Sequence, residues 1–590
     1  MPGKANIIIF IVILIVLLFF VPVLSSVLTD LIEVYKFRLA SVPDNFLAAT
    51  LREPATYIKF FTRVNPPNIL GWAAIGLYLI FSLTGRSKLR QGRIYARRYD
   101  YGSHGTSRFQ NKREIKNNYF KTKLGWFLGS DKPGLDYHPG MDGMYHPLEG
   151  SLNMQTAIFG SPGSLKTTGF VLPNIFHIPF MYKDKNEKPD IIITDPKSEL
   201  YSLSANYLIK NGYDVHVLDF INLKYGDSLN PIEFIKNDKE LIEIAEGFIS
   251  SSADAGGSSF KSDPFWEQSE GQLLGALIGY ILQIYPAYQQ TFSEVLKLLT
   301  SQNVRNIEKA EVFFKEFDIK GAAAQLWQNY LLAEDKVRAN ILIGLATKLK
   351  LFSIEGIKNI TGSTTMDIQK LGAKKQKPIA IYIIMPDKDQ TFSPVINSII
   401  TTILNQLYKS ANNSGGTLAN PVYLILEEMA NIGKIPGIEV MLGTMRSRKI
   451  YPMLVWQSLA QMKNRYKDSW EDILSMCDSH LYLGINDDFT ARYCSSSLGD
   501  TTIRVQATSK NSNSLLGEEM SSESQSYYRR SLLFADECRR LPSSNLILSQ
   551  RSLFPLILYK VQYKYWQEDK KICNKADLNR LPVIKNTCKA

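Results

Sequence analysis

Cysteine is scarce in this chain and poorly placed for chemistry. Its 590 residues hold five: Cys477, Cys494, Cys538, Cys573 and Cys588. The number is odd, the spacing is wide and no C-x-x-C pair occurs. Neither a zinc site nor a disulfide framework is indicated, which fits a reducing compartment. A small-x-small cleavage signal is missing too. The first apolar run, Ile7 to Leu24, continues into "VLSSVL", which argues against a removed signal peptide. Acid is missing from a third stretch, where Arg86, Lys88, Arg90, Arg93, Arg97 and Arg98 follow one another with no Asp or Glu among them.

Two apolar segments frame that basic cluster. Ile7 to Leu24 carries no charge and, as a helix, nearly spans a bilayer core of about 30 Å. Pro66 to Gly85 is also uncharged but less apolar, with Trp72 and Tyr78 inside it; a buried core helix is its alternative. The loop between them has five basic and four acidic residues. The positive-inside rule puts the cluster after Gly85 in the cytoplasm, and two spans return the N-terminus with Lys4 to the same side. The expectation is a two-pass membrane protein with a large cytoplasmic part. The net charge of +12 favours a polyanionic partner, nucleic acid or anionic lipid, unless it only reflects a lysine-rich composition.

From about residue 150 the texture is α/β. Short apolar runs end in polar or glycine-rich punctuation: "MQTAIFG", "DIIITDPKSEL", "YDVHVLDF", "PIAIYIIMPD", "PVYLILEEMAN", "IYPMLVWQS" and "SHLYLGIND". Strands alternating with helical patterns imply a mostly parallel, covered sheet, with ligands at the carboxyl ends of its strands. Between about 235 and 370 the strand pattern stops and helical spacing takes over. Residues 250–262 and 509–526 are rich in Ser, Asn and Gly and are expected to be flexible loops.

The stretch "GSPGSLKTTG" approaches the phosphate-loop pattern G-x-x-x-x-G-K-[ST]. Gly160, Ser161, Pro162, Gly163, Ser164, Leu165, Lys166, Thr167 and Thr168 form the candidate loop, with Leu165 where the second glycine belongs. In such a loop backbone N–H groups and a helix N-terminus cradle phosphates. Lys166 would neutralise phosphate charge and Thr167 would hold Mg2+. The strand "VYLIL" ends in Glu427 and Glu428. The first would serve Mg2+, where Asp is usual, and the second would orient or deprotonate the attacking water. Arg446 and Arg448 are candidates for a finger reaching a neighbour's γ-phosphate, against a surface basic cluster. Gln457 is a candidate γ-phosphate sensor, against an ordinary loop glutamine. Leucine at 165 is expected to weaken ATP binding without abolishing it.

Taken together these residues resemble the type IV coupling proteins, hexameric membrane ATPases that pass substrates to conjugation and secretion machines. "HGTSRF", "GSPGSLKTTGFVLPNI", "TDPKSELY", "LNPIEF", "DPFWEQSEG", "LEEMANIGKIPGIEVMLGTMRSRKI" and "LGINDDFTARYCSSSLGDTT" occur in that family's order. The versions in Gram-positive conjugative elements are the most similar. The resemblance implies a RecA-like nucleotide-binding domain with an inserted all-helical domain, and six subunits with ATP and Mg2+ at their interfaces. It also implies single-stranded, relaxase-bound DNA, the relaxase and secretion-channel components as partners, at the bacterial plasma membrane. Ser198 and Lys449 stand where the family tends to carry glycine.

The implied layout is a membrane anchor over 1–85, with spans near 7–24 and 66–85, and a basic membrane-proximal segment over 86–150. Nucleotide-binding parts follow over 151–235 and 371–565, flanking a helical insertion over 236–370. A basic tail covers 566–590. Three rivals stay open: a docking receptor with a decayed nucleotide site, a DNA pump of the chromosome-segregation type, and a coupling protein for protein effectors alone.

Overall fold

Long apolar runs dictate the centre of the molecule. In the computed structural model, "DIIITD", "IAIYII", "VYLIL" and "IYPMLVW" are strands buried at every residue, as sheets covered on both faces require. The structure describes residues 104–584, apart from 120–122, 137, 139, 148–149, 183, 256–263, 389, 512–519 and 564–574. Nearer the N-terminus it describes 21–26, 28, 67–73 and 75.

The chain divides into two units, Met1–Arg97 and Arg98–Ala590. In the first, residues 21–26 and 67–73 are helical, and the Ser25 hydroxyl donates to Asn68 Oδ1. Most of the expected spans at 7–24 and 66–85 lie outside the described residues. Among the described residues no helix is long and apolar enough to cross a membrane.

The second unit is built on a nine-stranded sheet. Its strands are β3 (Thr156–Gly160), β4 (Asp190–Asp195), β5 (Asp214–Asp219), β6 (Ile379–Ile384), β7 (Val422–Leu426), β8 (Ile450–Trp456), β9 (Ser479–Gly484), β12 (Asn545–Gln550) and β13 (Leu556–Tyr559). A small pair, β1 (Phe127–Gly129) and β2 (Met144–Tyr145), precedes them. The order is β13-β12-β9-β3-β8-β7-β4-β6-β5. From β9 to β5 all neighbours are parallel, whereas β12 and β13 add antiparallel strands on the β9 side. These last two were not among the strands expected from the sequence.

Between β5 and β6 the chain is helical. Its longest helix, Pro264–Ile284, buries Leu273, Leu274, Leu277, Ile278 and Ile281 on successive turns, which anchors the helical part to one continuous core with the sheet. Of the stretch 509–526, expected as a loop, the described residues 509–511 and 520–526 are strand. β10 (Asp500–Asn511) and β11 (Met520–Ser531) pair in register along a twelve-residue hairpin. Hydroxyl- and amide-rich strands can pair without a core because the ladder satisfies the backbone by itself.

Candidate nucleotide-binding site

β3 delivers the phosphate-loop sequence to the carboxyl edge of the sheet. Ser161 N–H donates to Gly484 O at 2.9 Å, tying the loop to the end of β9, and Ser164 N–H returns to Ser161 O at 3.1 Å. Gly163 has φ +77° and Leu165 φ +64°. Thr167–Val171 then forms a single π-turn that leads into the helix α1, Leu172–Met181. Gly169 N–H closes back on Leu165 O at 2.8 Å. The helix N-terminus thus points at the loop, as an anion site requires.

Strand order decides which residues meet there. β8 lies between β3 and β7, so the end of β7 is two strand spacings from the loop, about 10 Å. Glu427 bridges that gap, accepting from Thr167 Oγ1 at 2.6 Å. Gln457, at the end of the intervening β8, donates through Nε2 to Glu428 Oε1 at 2.8 Å. Glu428 itself adopts φ +56°, a left-handed turn that ends the strand on the carboxylate. Lys166 Nζ donates to Gly160 O, and its distance to Ser161 O is 3.4 Å. A cavity of about 460 Å³ is bounded by the loop from Ser161 to Thr168 together with Asp195, Lys197, Asp387, Glu427, Glu428 and Gln457.

The electrostatics of this cavity favour a cation. Burial pushes the Glu427 carboxyl up to about 7, against the Thr167 hydrogen bond; Asp195 adds to the rise and Lys166 opposes it. Burial also raises Asp195 to about 6 despite N–H donors from Tyr201 and Lys197. Burial holds Lys166 below the usual lysine range, with Glu428 and Glu427 pulling the other way. A buried hydroxyl, Ser164 Oγ, has no partner among the described residues. Buried carboxylates and a desolvated lysine lining one cavity suit a divalent cation together with phosphate. The cavity has the size of a small-ligand pocket.

Arg446 and Arg448 are not part of this constellation. They precede β8, at the end of the sheet opposite Gln457, roughly 23 Å away along seven strand residues. Arg446 donates to Ser151 O at 3.0 Å and to Gly150 O at 2.5 Å. Arg448 lies over the Tyr408 ring, 4.7 Å from its centroid. Within one chain neither reaches the cavity.

The three positions that depart from glycine share one conformation. Leu165, Ser198 and Lys449 have φ of +64°, +57° and +59°. The backbone of each keeps the turn that glycine makes freely, at a cost of about 1–2 kcal/mol per side chain. At Leu165 the bonds from Ser164 N–H and Gly169 N–H hold that turn on both sides. Part of the cost of that turn is therefore met in the fold itself.

Sequence reasoning missed Lys560. It follows β13, is 6% exposed, and donates to the loop carbonyl of Ser164 at 2.8 Å. The available signal was its place directly after the apolar run "PLILY", the same strand-end position that marks Glu427.

A family model described as Type IV secretory system Conjugative DNA transfer matches residues 108–580. The chain belongs to that family. Among curated proteins, the conjugal transfer protein TraG of Rhizobium radiobacter is 23% identical over 445 residues, which is 72% of this chain and 63% of that protein. Protein VirD4 of the same organism is 25% identical over 217 residues, 36% of this chain and 30% of that one. The chain spans less than two thirds of the length of each. Among solved structures, the bacterial conjugative coupling protein TrwBdeltaN70 in its unbound form superposes with a TM-score of 0.56 at 14% identity, covering 81% of this chain and 99% of that one. The plasmid coupling protein TrwB in complex with ADP and Mg2+ gives 0.54 at 12% identity, covering 82% and 99%. At these identities the shared property is the fold, an α/β architecture on a mostly parallel sheet.

Proposed function

We propose that the chain is a membrane-anchored coupling ATPase of RecA-like fold that recruits relaxase-bound single-stranded DNA and delivers it to a type IV secretion channel during conjugation. The observation that carries this is the meeting of Lys166, Thr167, Glu427, Glu428 and Gln457 around one cavity, in a chain whose residues 108–580 match the conjugative DNA-transfer family. The ADP and Mg2+ named for TrwB, a structure of the same fold, support ATP and Mg2+ as the ligands.

In this reading the loop N–H groups and Lys166 bind the β- and γ-phosphates. Thr167 and Glu427 would hold Mg2+, which would supply neutralisation of the negative charge on the phosphates. Glu428 accepts a proton from the attacking water or orients it, and Gln457 fixes the Glu428 carboxylate through its 2.8 Å hydrogen bond. Because Arg446 and Arg448 lie at the far end of their own sheet, an arginine finger here acts on a neighbouring subunit. A homo-hexamer with ATP at its interfaces supplies that neighbour. The apolar run Ile7–Leu24 and the basic cluster after Gly85 support a two-pass anchor in the plasma membrane.

Hydrolysis of ATP by the full chain in detergent, with and without single-stranded DNA, tests the reading. Turnover that needs Mg2+ and is lost in Lys166→Ala supports it. Failure to bind ATP at millimolar concentration would replace it with the docking-receptor alternative.

A further inference from the structure

Lys560 stands behind the phosphate loop, outside the cavity. Its ammonium has three protons and three backbone acceptors: Ser164 O and Ser543 O, each at 2.8 Å, and Leu483 O. No carboxylate is among them, so among the described residues this buried charge is not half of an ion pair. The segment that carries it is fastened to the same loop and helix. Tyr563 N–H donates to Thr168 O at 2.8 Å, and the Tyr563 ring stacks on Phe176 with centroids 4.7 Å apart.

The carbonyl that Lys560 holds belongs to the peptide unit joining Ser164 to Leu165. In a trans peptide C=O and N–H point in opposite directions, and turning that plane is the same motion as changing φ of Leu165. Resting on the nucleotide-site reading above, we propose that Lys560 is a positioning residue: it fixes the left-handed turn at Leu165 and so presents the Leu165 N–H to a bound phosphate. A cation on the carbonyl also polarises the peptide and strengthens that N–H as a donor. Glycine at 165 would make the turn without such help. The lysine thus compensates for the missing glycine.

A thermodynamic cycle in ATP affinity reads this directly, using a fluorescent ATP analogue with Mg2+ and the full chain in detergent. Lys560→Met should weaken binding about tenfold in the parent, because the nucleotide must then restore the strained turn. In a Leu165→Gly background, where the turn is free, the same substitution should cost less than about threefold. Equal losses in both backgrounds, or no loss in the parent, would overturn the proposal; a purely structural role would lower the unfolding temperature equally in both.

A second readout does not depend on Lys560→Met folding. Burial and then Lys166 hold the Lys560 ammonium down to about 8; Lys166 is the only charged group acting on it among the described residues. Bound phosphate favours the ammonium, so affinity in the parent should fall as pH rises past about 8. Lys560→Arg keeps its charge and should flatten that fall; what persists in the arginine variant belongs to Lys166. Identical pH profiles would count against the proposal. If the parent binds no nucleotide at any pH, the nucleotide-site reading fails and this inference fails with it.

Discussion

Replacing Leu165 by alanine and by glycine isolates the strain in the phosphate loop. Both substitutions remove the same half-buried side chain beyond Cβ, so the lost burial cancels between them. Alanine keeps the Cβ and with it the cost of φ +64°, about 1–2 kcal/mol. Glycine removes that cost but adds roughly 0.5–1 kcal/mol of chain entropy on unfolding. The glycine variant should therefore be the more stable by roughly 0.5–1 kcal/mol, the reverse of the order at ordinary backbone angles. Thermal unfolding of the full chain in detergent gives the ranking; for a chain of several parts the order of midpoints is the safe observable. ATP affinity should differ little between parent and glycine variant, within about threefold, because the protein's own hydrogen bonds already hold the turn. An alanine variant that melts above the glycine variant would refute the left-handed turn. A tenfold gain in affinity on Leu165→Gly would refute a loop held in place by the protein itself.

Glu427→Gln should abolish Mg2+-dependent turnover. In the parent, a carboxyl held up to about 7 must lose its proton to take the cation, so metal-dependent nucleotide affinity should rise with pH through about 7, before the fall expected past about 8; no rise on the acid side contradicts this. The raised value also means that the parent loses stability as pH climbs from the ordinary carboxylate range through 7, so above pH 7 Glu427→Gln should be the more stable to unfolding, by up to roughly 3 kcal/mol. Arg446→Ala or Arg448→Ala, at whichever position acts in trans, should remove turnover with ATP affinity nearly intact and poison mixtures with wild type. Activity that declines strictly in proportion to the mutant fraction would exclude a shared site. Binding of single-stranded DNA should be sequence-tolerant and weaken steeply with salt; affinity that is unchanged from low to moderate salt would remove DNA as a direct ligand.

The parts of the fold that could be read in the sequence are those where one local pattern suffices. β4, β6, β7 and β8 are covered on both faces, so each appears as an unbroken apolar run ending in a polar residue. The carboxyl ends of β3, β7 and β8 converge by the geometry of parallel strands, which is why Lys166, Thr167, Glu427, Glu428 and Gln457 were recognisable from motifs scattered over 290 positions. Arg446 and Arg448 show the limit of spacing. They lie about twenty residues after the acids, but the helix Ile438–Met445 carries the chain back to the opposite edge of the sheet, as every parallel crossover must. The β10–β11 hairpin was hidden because its pairing rests on backbone bonds, which composition does not report. Lys560 was hidden because its partners are carbonyl oxygens, which every residue has.

The two antiparallel strands at the β9 edge have a consequence for synthesis. Thr167 meets Glu427 across 260 positions of chain, and Ser164 meets Lys560 across 396. At a bacterial ribosome's pace of about 5–20 residues per second, the loop waits roughly 20–80 seconds between its own emergence and that of the lysine behind it. A partly made chain carries a loop whose backing has not yet been made. Any nascent copy that stops short of residue 560 is born without that backing.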